Sequence, residues 1–252
     1  MEPFLINTGS KLFKLGQQMK YRKSIFLLFF LMSFNIVFGN TKSHETGIDC
    51  PLRKQGIDVH GMRPFENTKK YIEFLEKNDR SDWQKPDAVV SYLQLKGSEI
   101  IADIGAGSGY FSFRFAGVLT KGKVLAIDIE PEMLRYIHHK SMSLGIKNIE
   151  VLLASHDDPK VPRGIDMVFM CDVLHHIKNR AVWLSKLSSE VRKGAKLILI
   201  EFKEGALPEG PPEKMKISNK EILSIVGNNG FKLLKQNTDL LPYQYIYEFE
   251  KN

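Results

Sequence analysis

From Glu99 onward the chain switches between two hydrophobic periods. Short apolar runs occur at Ile100–Ile104, Lys123–Ile127, Ile149–Leu153, Met167–Cys171 and Lys196–Ile200, each the length of a buried strand. Stretches with apolar positions at helical spacing lie between the first three and after the fourth, at Tyr110–Leu119, Pro131–Leu144 and Arg180–Val191. The link from the third run to the fourth is shorter and shows no clear helix. Strands separated by helices pair in parallel through right-handed crossovers, so the pattern predicts an α/β fold with a doubly wound sheet.

The end of the chain reads differently. Ser218-Asn219-Lys220-Glu221 is a capping box, with Ser218 placed to accept a backbone N–H and Glu221 to reach back. The helix it opens stops near Gly230. Two strands follow, Phe231–Lys235 and Tyr243–Phe249, and the link from Gln236 to Pro242 is too short for a helical crossover. That last pair is therefore expected to be antiparallel.

Upstream of the sheet, Thr68–Lys77 carries Tyr71, Ile72, Phe74 and Leu75 at amphipathic spacing. Another helix is expected from Pro86, a good first helical residue, through Val89, Val90 and Leu93. At the front, Met19-Lys20-Tyr21-Arg22-Lys23 precedes an apolar stretch, Ser24 to Phe38, that ends at Gly39-Asn40. A basic start, a short apolar run and small residues form a signal-peptide pattern. The run is shorter than a comfortable membrane span. The resulting organisation is a signal peptide or membrane anchor over 1–39, an N-terminal extension over 40–82 and a catalytic-type domain over 83–252. It implies export to the periplasm or membrane anchoring through that first segment alone, or a cytoplasmic protein where the segment is not a signal.

Charge changes this picture little. The chain of 252 residues carries +7, but residues 1–39 hold five bases and one acid, so the remainder is only mildly basic, at 31 bases against 28 acids. With no concentrated patch, a nucleic-acid partner is not expected. Two cysteines, Cys50 and Cys171, cannot build a disulfide framework, and Cys171 closes an apolar run as a small core residue would.

The candidate chemistry begins after the first strand, in Asp103-Ile104-Gly105-Ala106-Gly107-Ser108-Gly109-Tyr110. Glycines let backbone turn sharply and approach a ligand, and the next helix points N–H groups at the same place. Many nucleotide-binding folds share such a loop. Here, however, Tyr110 stands where a dinucleotide fingerprint needs its third glycine. Asp103 would also repel a pyrophosphate, whereas it suits a ligand carrying an ammonium and a sulfonium. S-adenosylmethionine has both, and its carboxylate can be met by loop and helix N–H groups. The second strand ends in Ala126-Ile127-Asp128-Ile129-Glu130, where the Asp128 carboxylate can accept from both ribose hydroxyls. The plainer role for Asp128 is a charge at the start of the helix that follows.

IIADIGAGSGYFSFRFA, VLAIDIEPEMLRYI and VFMCDVLHHI, in this order, resemble successive motifs of class I S-adenosylmethionine-dependent methyltransferases, over about Trp83 to Lys251. The resemblance implies a Rossmann-like, seven-stranded, mostly parallel sheet closed by an antiparallel hairpin. It also implies that Asp103 holds the methionyl part beside Gly105, Ala106, Gly107 and Gly109, that Asp128 with Ile129 binds ribose, and that the Ala154-Ser155-His156-Asp157-Asp158 turn meets adenine through Ser155 or Asp157. Family members often show an Asp-Ala pair in that turn, and this chain does not. Ser81-Asp82-Trp83-Gln84-Lys85-Pro86 and Leu241-Pro242-Tyr243-Gln244-Tyr245 resemble segments of a bacterial subgroup with signal-like N-termini. Trp83-Gln84 either covers the cofactor or packs at a helix start. Tyr110 either covers the methionyl group or opens the helix.

Asp172 ends the fourth strand as a candidate cofactor-binding or catalytic group, and His175 follows it as a candidate general base. The alternative is that Asp172 caps a turn, while one of His175 and His176 packs and the other faces water. Neither this pair nor His138-His139 has the partner spacing of a metal site, so no metal is expected. Gly210-Pro211-Pro212, after Leu207-Pro208-Glu209, is a stiff loop placed either to shape an acceptor pocket or simply to connect. Methyl transfer to an unidentified acceptor, a small molecule, lipid-like compound or protein side chain, is the expected function. A noncatalytic S-adenosylmethionine-binding or interaction domain is the alternative.

Overall fold

The computed structural model describes residues 65–77 and 79–252. The segment read as a signal or anchor lies outside them, as does Cys50. Among the described residues, no helix is long and apolar enough to cross a membrane.

The elements run α1 (Phe65–Leu75), α2 (Arg80–Gln84), α3 (Pro86–Tyr92), β1 (Ile100–Ile104), α4 (Ser112–Val118), β2 (Lys123–Asp128), α5 (Pro131–Ser143), β3 (Ile149–Leu153), β4 (Met167–Cys171), a 3-10 turn (Leu174–His176), α6 (Arg180–Glu190), β5 (Lys196–Phe202), a second 3-10 turn (Glu213–Met215), α7 (Asn219–Asn228), β6 (Phe231–Asn237) and β7 (Gln244–Lys251). Seven strands form one sheet in the order β3-β2-β1-β4-β5-β7-β6. β1 through β5 pair in parallel, and β7 runs antiparallel to both β5 and β6. This is the expected Rossmann-like sheet. The crossover from β3 to β4, over 154–166, contains no helix. It carries the chain back past β2 and β1. The connections that leave β1 and β4 run in opposite directions along the sheet, which opens a crevice at the C-terminal ends of those two strands.

Two-residue periodicity divides the strand side chains between two cores. Ala102, Leu125, Val168 and Leu197 pack with Trp183 and Leu187 of α6 and Ile222 of α7. Ile101, Val124, Phe169 and Ile198 pack instead with Val89 of α3 and Phe115 of α4. Both faces of the parallel strands are thus covered, which is why those strands read as continuous apolar runs.

Three local readings change. α4 starts at Ser112, two residues after Tyr110, so Tyr110 belongs to the loop. Only half of the capping box forms: Ser218 Oγ accepts from Glu221 N at 3.2 Å, while the Glu221 carboxylate accepts from Arg180 Nη1 at 3.3 Å instead of reaching back. In α1, Ile72 is buried but Tyr71 and Phe74 are 51% and 55% exposed, so the apolar side of that helix is only partly covered.

At the end of the sheet away from the crevice, Gly122 passes tightly under β1. A Cβ there would sit 2.1 Å from the Glu99 carbonyl oxygen, a backbone atom that cannot step aside alone. Gly122→Ala is expected to cost about 1–3 kcal/mol by overpacking, measured by denaturant unfolding, with ligand affinity at the crevice unchanged.

Candidate functional site

The glycine loop between β1 and α4 needs its glycines for space as well as for backbone angle. Gly105, Gly107 and Gly109 have φ of +68°, +55° and +80°. A Cβ on Gly105 would lie 2.4 Å from Val173 Cγ2, and one on Gly109 would lie 2.7 Å from the Phe113 ring. The loop's N–H groups are largely committed within the protein. Gly105 and Ala106 donate to the Ile127 carbonyl at 2.8 and 3.1 Å, Gly109 donates to the Ala106 carbonyl at 2.8 Å, and Gly107 donates to Asp128 Oδ2 at 2.8 Å.

The loop borders a cavity of about 1340 Å³ at the C-terminal ends of the parallel strands. Asp103, Gly105, Ala106, Gly107, Tyr110, Asp128, Ile129, Ser155, Asp157, Asp172 and His175 all line it. Gly109 does not: it borders a separate small pocket with Phe113 and Lys140, and its part is to turn the chain. Cys171 is half-buried, and besides packing at the edge of one core it faces the cavity.

Along the β1–β3 side, Asp128 is 8% exposed, and its Oδ1 accepts from Glu130 N at 2.9 Å. Gly107 and Glu130 thus hold its two oxygens, and the Ile129 N–H also acts on the carboxylate. Burial pushes its pKa up, against the pull of those N–H groups. The 154–158 turn is closed by Ser155 and Asp158, whose N–H groups donate to each other's carbonyls at 3.1 and 3.2 Å. Asp103 is buried, and Ser112 Oγ donates to its Oδ2 at 2.5 Å. Burial raises its pKa to about 7.

Along the β4–β5 side, Asp172 adopts a left-handed φ of +61° and accepts at Oδ1 from Gln244 Nε2 at 2.6 Å. Desolvation, then the nearby Glu201 charge, raise its pKa to about 7. His175 is buried and its Nδ1 lies 2.8 Å from Glu201 Oε2, while His176 is exposed. Burial pulls the His175 pKa down, but the Glu201 hydrogen bond and charge outweigh it, and the net shift is upward. Trp83, Phe202 and the Pro208–Pro211 loop form the wall beyond. Trp83 meets the Phe202 and Tyr243 rings at 5.8 and 6.2 Å.

Arg80, Glu201 and Gln244 had no assigned role in the sequence, and Gln84 had only one shared with Trp83. Glu201 carried a signal, since an acid inside the apolar run Lys196–Phe202 must either be paired or serve a purpose. Gln84 and Gln244 lie in the two segments that resemble the bacterial subgroup, and the structure joins them: Gln84 Nε2 donates to Gln244 Oε1 at 2.6 Å. Among the described residues, no cluster of His, Cys, Asp or Glu could hold a metal ion.

The sheet order, the glycine loop and the acids at three strand ends define an S-adenosylmethionine-dependent methyltransferase. The family described as a methyltransferase domain matches residues 95–245, and the chain belongs to it. A SAM-dependent methyltransferase from Aquifex aeolicus has a similar structure, with a TM-score of 0.68 and 26% identity over 73% of this chain and 98% of that one. Two relatives are tRNA U34 carboxymethyltransferases. The one from Alteromonas mediterranea is 31% identical over 59% of this chain and 42% of its own length. The one from Cellvibrio japonicus is 30% identical over 64% and 48%. The chain thus spans less than half the length of these relatives. Their names overturn the expectation that no nucleic acid is involved. That expectation rested on net charge, which averages over the whole surface and does not register how a single base is held in a pocket.

S-adenosylmethionine fits these residues, because the shielded carboxyls of Asp103 and Asp172 suit a ligand with cationic groups. In the free protein both carboxyls hold their protons up to about pH 7. The stability they contribute is full below about pH 4 and is lost as pH rises through about 7. A bound cation favours the ionised form. The gain in melting temperature on adding S-adenosylmethionine is therefore expected to grow from about pH 6 to about pH 8, with Asp103→Asn flattening the trend. A wild-type gain independent of pH contradicts this.

Proposed function

We propose that this methyltransferase modifies a base of a folded RNA, with transfer RNA the first acceptor to test. The observation that carries the reading is the aromatic wall of Trp83 and Phe202 beside the strand-end acids, in a cavity larger than a cofactor alone requires. A base taken out of its stack is held by aromatic faces and by hydrogen bonds at its edge, and such holding tolerates a mild net charge. The names of the two tRNA-modifying relatives support the same acceptor.

In this reading Asp103, with Gly105, Ala106, Gly107 and Tyr110, would hold the methionyl part of the cofactor. Asp128 with Ile129 would hold the ribose, and Ser155 or Asp157 would meet the adenine. When bound, S-adenosylmethionine supplies a methyl group already activated for transfer. The protein's own task is orientation and exclusion of water. Glu201 holds His175 at Nδ1, which leaves Nε2 as the nitrogen available to take a proton from the acceptor. Asp172, fixed by Gln244, borders the same space.

Two measurements test this. Purified full chain with methyl-labelled cofactor and separated RNA, protein and lipid fractions is expected to label RNA, and nucleoside digestion then reads the modified base. Label confined to protein or lipid sinks the RNA reading. His175→Asn is expected to lower turnover by about 10²-fold or more, to leave S-adenosylhomocysteine affinity unchanged, and to remove the rise in rate that accompanies deprotonation of the histidine. An unaltered pH profile excludes His175 as the base.

A further inference from the structure

We infer that Arg80, from α2, holds the carboxylate at the amino-acid end of the cofactor. This assignment depends on the cofactor and is independent of the acceptor.

The first observation is an unmatched cation. Arg80 is half-buried, lines the cavity, and has its guanidinium carbon 4.1 Å from the centroid of the Tyr110 ring. Among the described residues, ion pairs form at Arg114, Arg135, Arg180 and Arg192, and Arg80 has no carboxylate at such a distance. Its hydrogen bonds go to neutral acceptors instead, Nη1 to the Leu75 carbonyl at 2.8 Å and Nη2 to Gln84 Oε1 at 3.4 Å, and Nε has no partner among the described residues. A half-buried guanidinium without an anion is costly unless a ligand provides one. Its charge also lowers the pKa of both Asp103 and Asp172, which places it on the methionyl side of the cavity.

The second observation is that the loop glycines are already committed, which leaves Arg80 as the half-buried cation on this wall, beside the neutral Ser108, whose buried Oγ has no partner among the described residues. The loop and helix N–H groups were the expected partners for this carboxylate. Gly105, Ala106, Gly107 and Gly109 already donate within the protein, and α4 is a seven-residue helix that begins beyond Tyr110. Two lysines on the cavity wall, Lys77 and Lys178, are exposed. The chemistry is also complementary: an amino-acid zwitterion offers its ammonium to Asp103 and its carboxylate to a guanidinium, which can bind it with two parallel hydrogen bonds. Arg80 lies outside the stretch 95–245 matched by the family, so family membership alone does not assign it.

The test compares two ligands by calorimetry on the full chain. S-adenosylhomocysteine carries the amino-acid end, and 5′-methylthioadenosine lacks it. Arg80→Gln is expected to weaken the first by about tenfold to a hundredfold, as for a lost charge-assisted hydrogen bond, and to leave the second unchanged, with Arg80→Lys between. Equal loss for both ligands, or loss for neither, overturns the inference. Should Arg80→Gln fail to fold, the wild type decides: decarboxylated S-adenosylhomocysteine binding as tightly as the parent overturns it, and weaker binding by a similar factor supports it.

Discussion

Two buried amides tie together the parts of this molecule that meet at the cavity. Gln84 ends α2, Gln244 opens β7, and both are fully buried. Arg80 donates to Gln84, Gln84 to Gln244, and Gln244 to Asp172 at the end of β4. The chain of donors starts at a cation and ends at the carboxyl of Asp172, so each link is polarised in the same sense. It also joins three distant stretches of sequence. Breaking one link would leave buried amide groups without partners, which costs more than the bond itself is worth. α2 is therefore built into the site.

Around that chain the charges are arranged by exclusion of water. Asp103 and Asp172 sit at the ends of neighbouring strands, and both are held toward neutrality because desolvation disfavours their ionised forms. Arg80 offsets part of this, but an excess of acid remains. Such a cavity is incomplete without a cationic guest. The same logic sets His175 apart from its neighbour His176, because His175 is locked to a buried acid, Glu201.

The fold was legible because both faces of the parallel strands are covered. Runs such as Ile100–Ile104 and Met167–Cys171 are apolar almost throughout and recur between amphipathic helices. The β1–β3 wall of the cavity was legible for a related reason, since a glycine loop and an acid at a strand end are local features. Arg80, Gln84, Glu201 and Gln244 were harder to see because their meaning lies in pairing across long separations. Gln84 and Gln244 are 160 positions apart, and neither residue type suggests chemistry by itself. Gly109 differs from the other motif glycines in that it turns the chain and borders a separate pocket.

The two sides of the cavity also differ in what they can specify. The β1–β3 side is built from backbone and from short acids on rigid strands, an arrangement suited to one invariant cofactor. The β4–β5 side is walled by Trp83 from α2, by the Pro208–Pro211 loop and by the 3-10 turn at Leu174–His176. These pieces come from connecting segments, which can differ in shape without disturbing the sheet. Trp83, the 3-10 turn and the loop after β5 are therefore the parts of the wall that can be reshaped to fit an acceptor. A relative that shares only the central domain shares the cofactor chemistry first, and its acceptor only to the extent that these walls are alike.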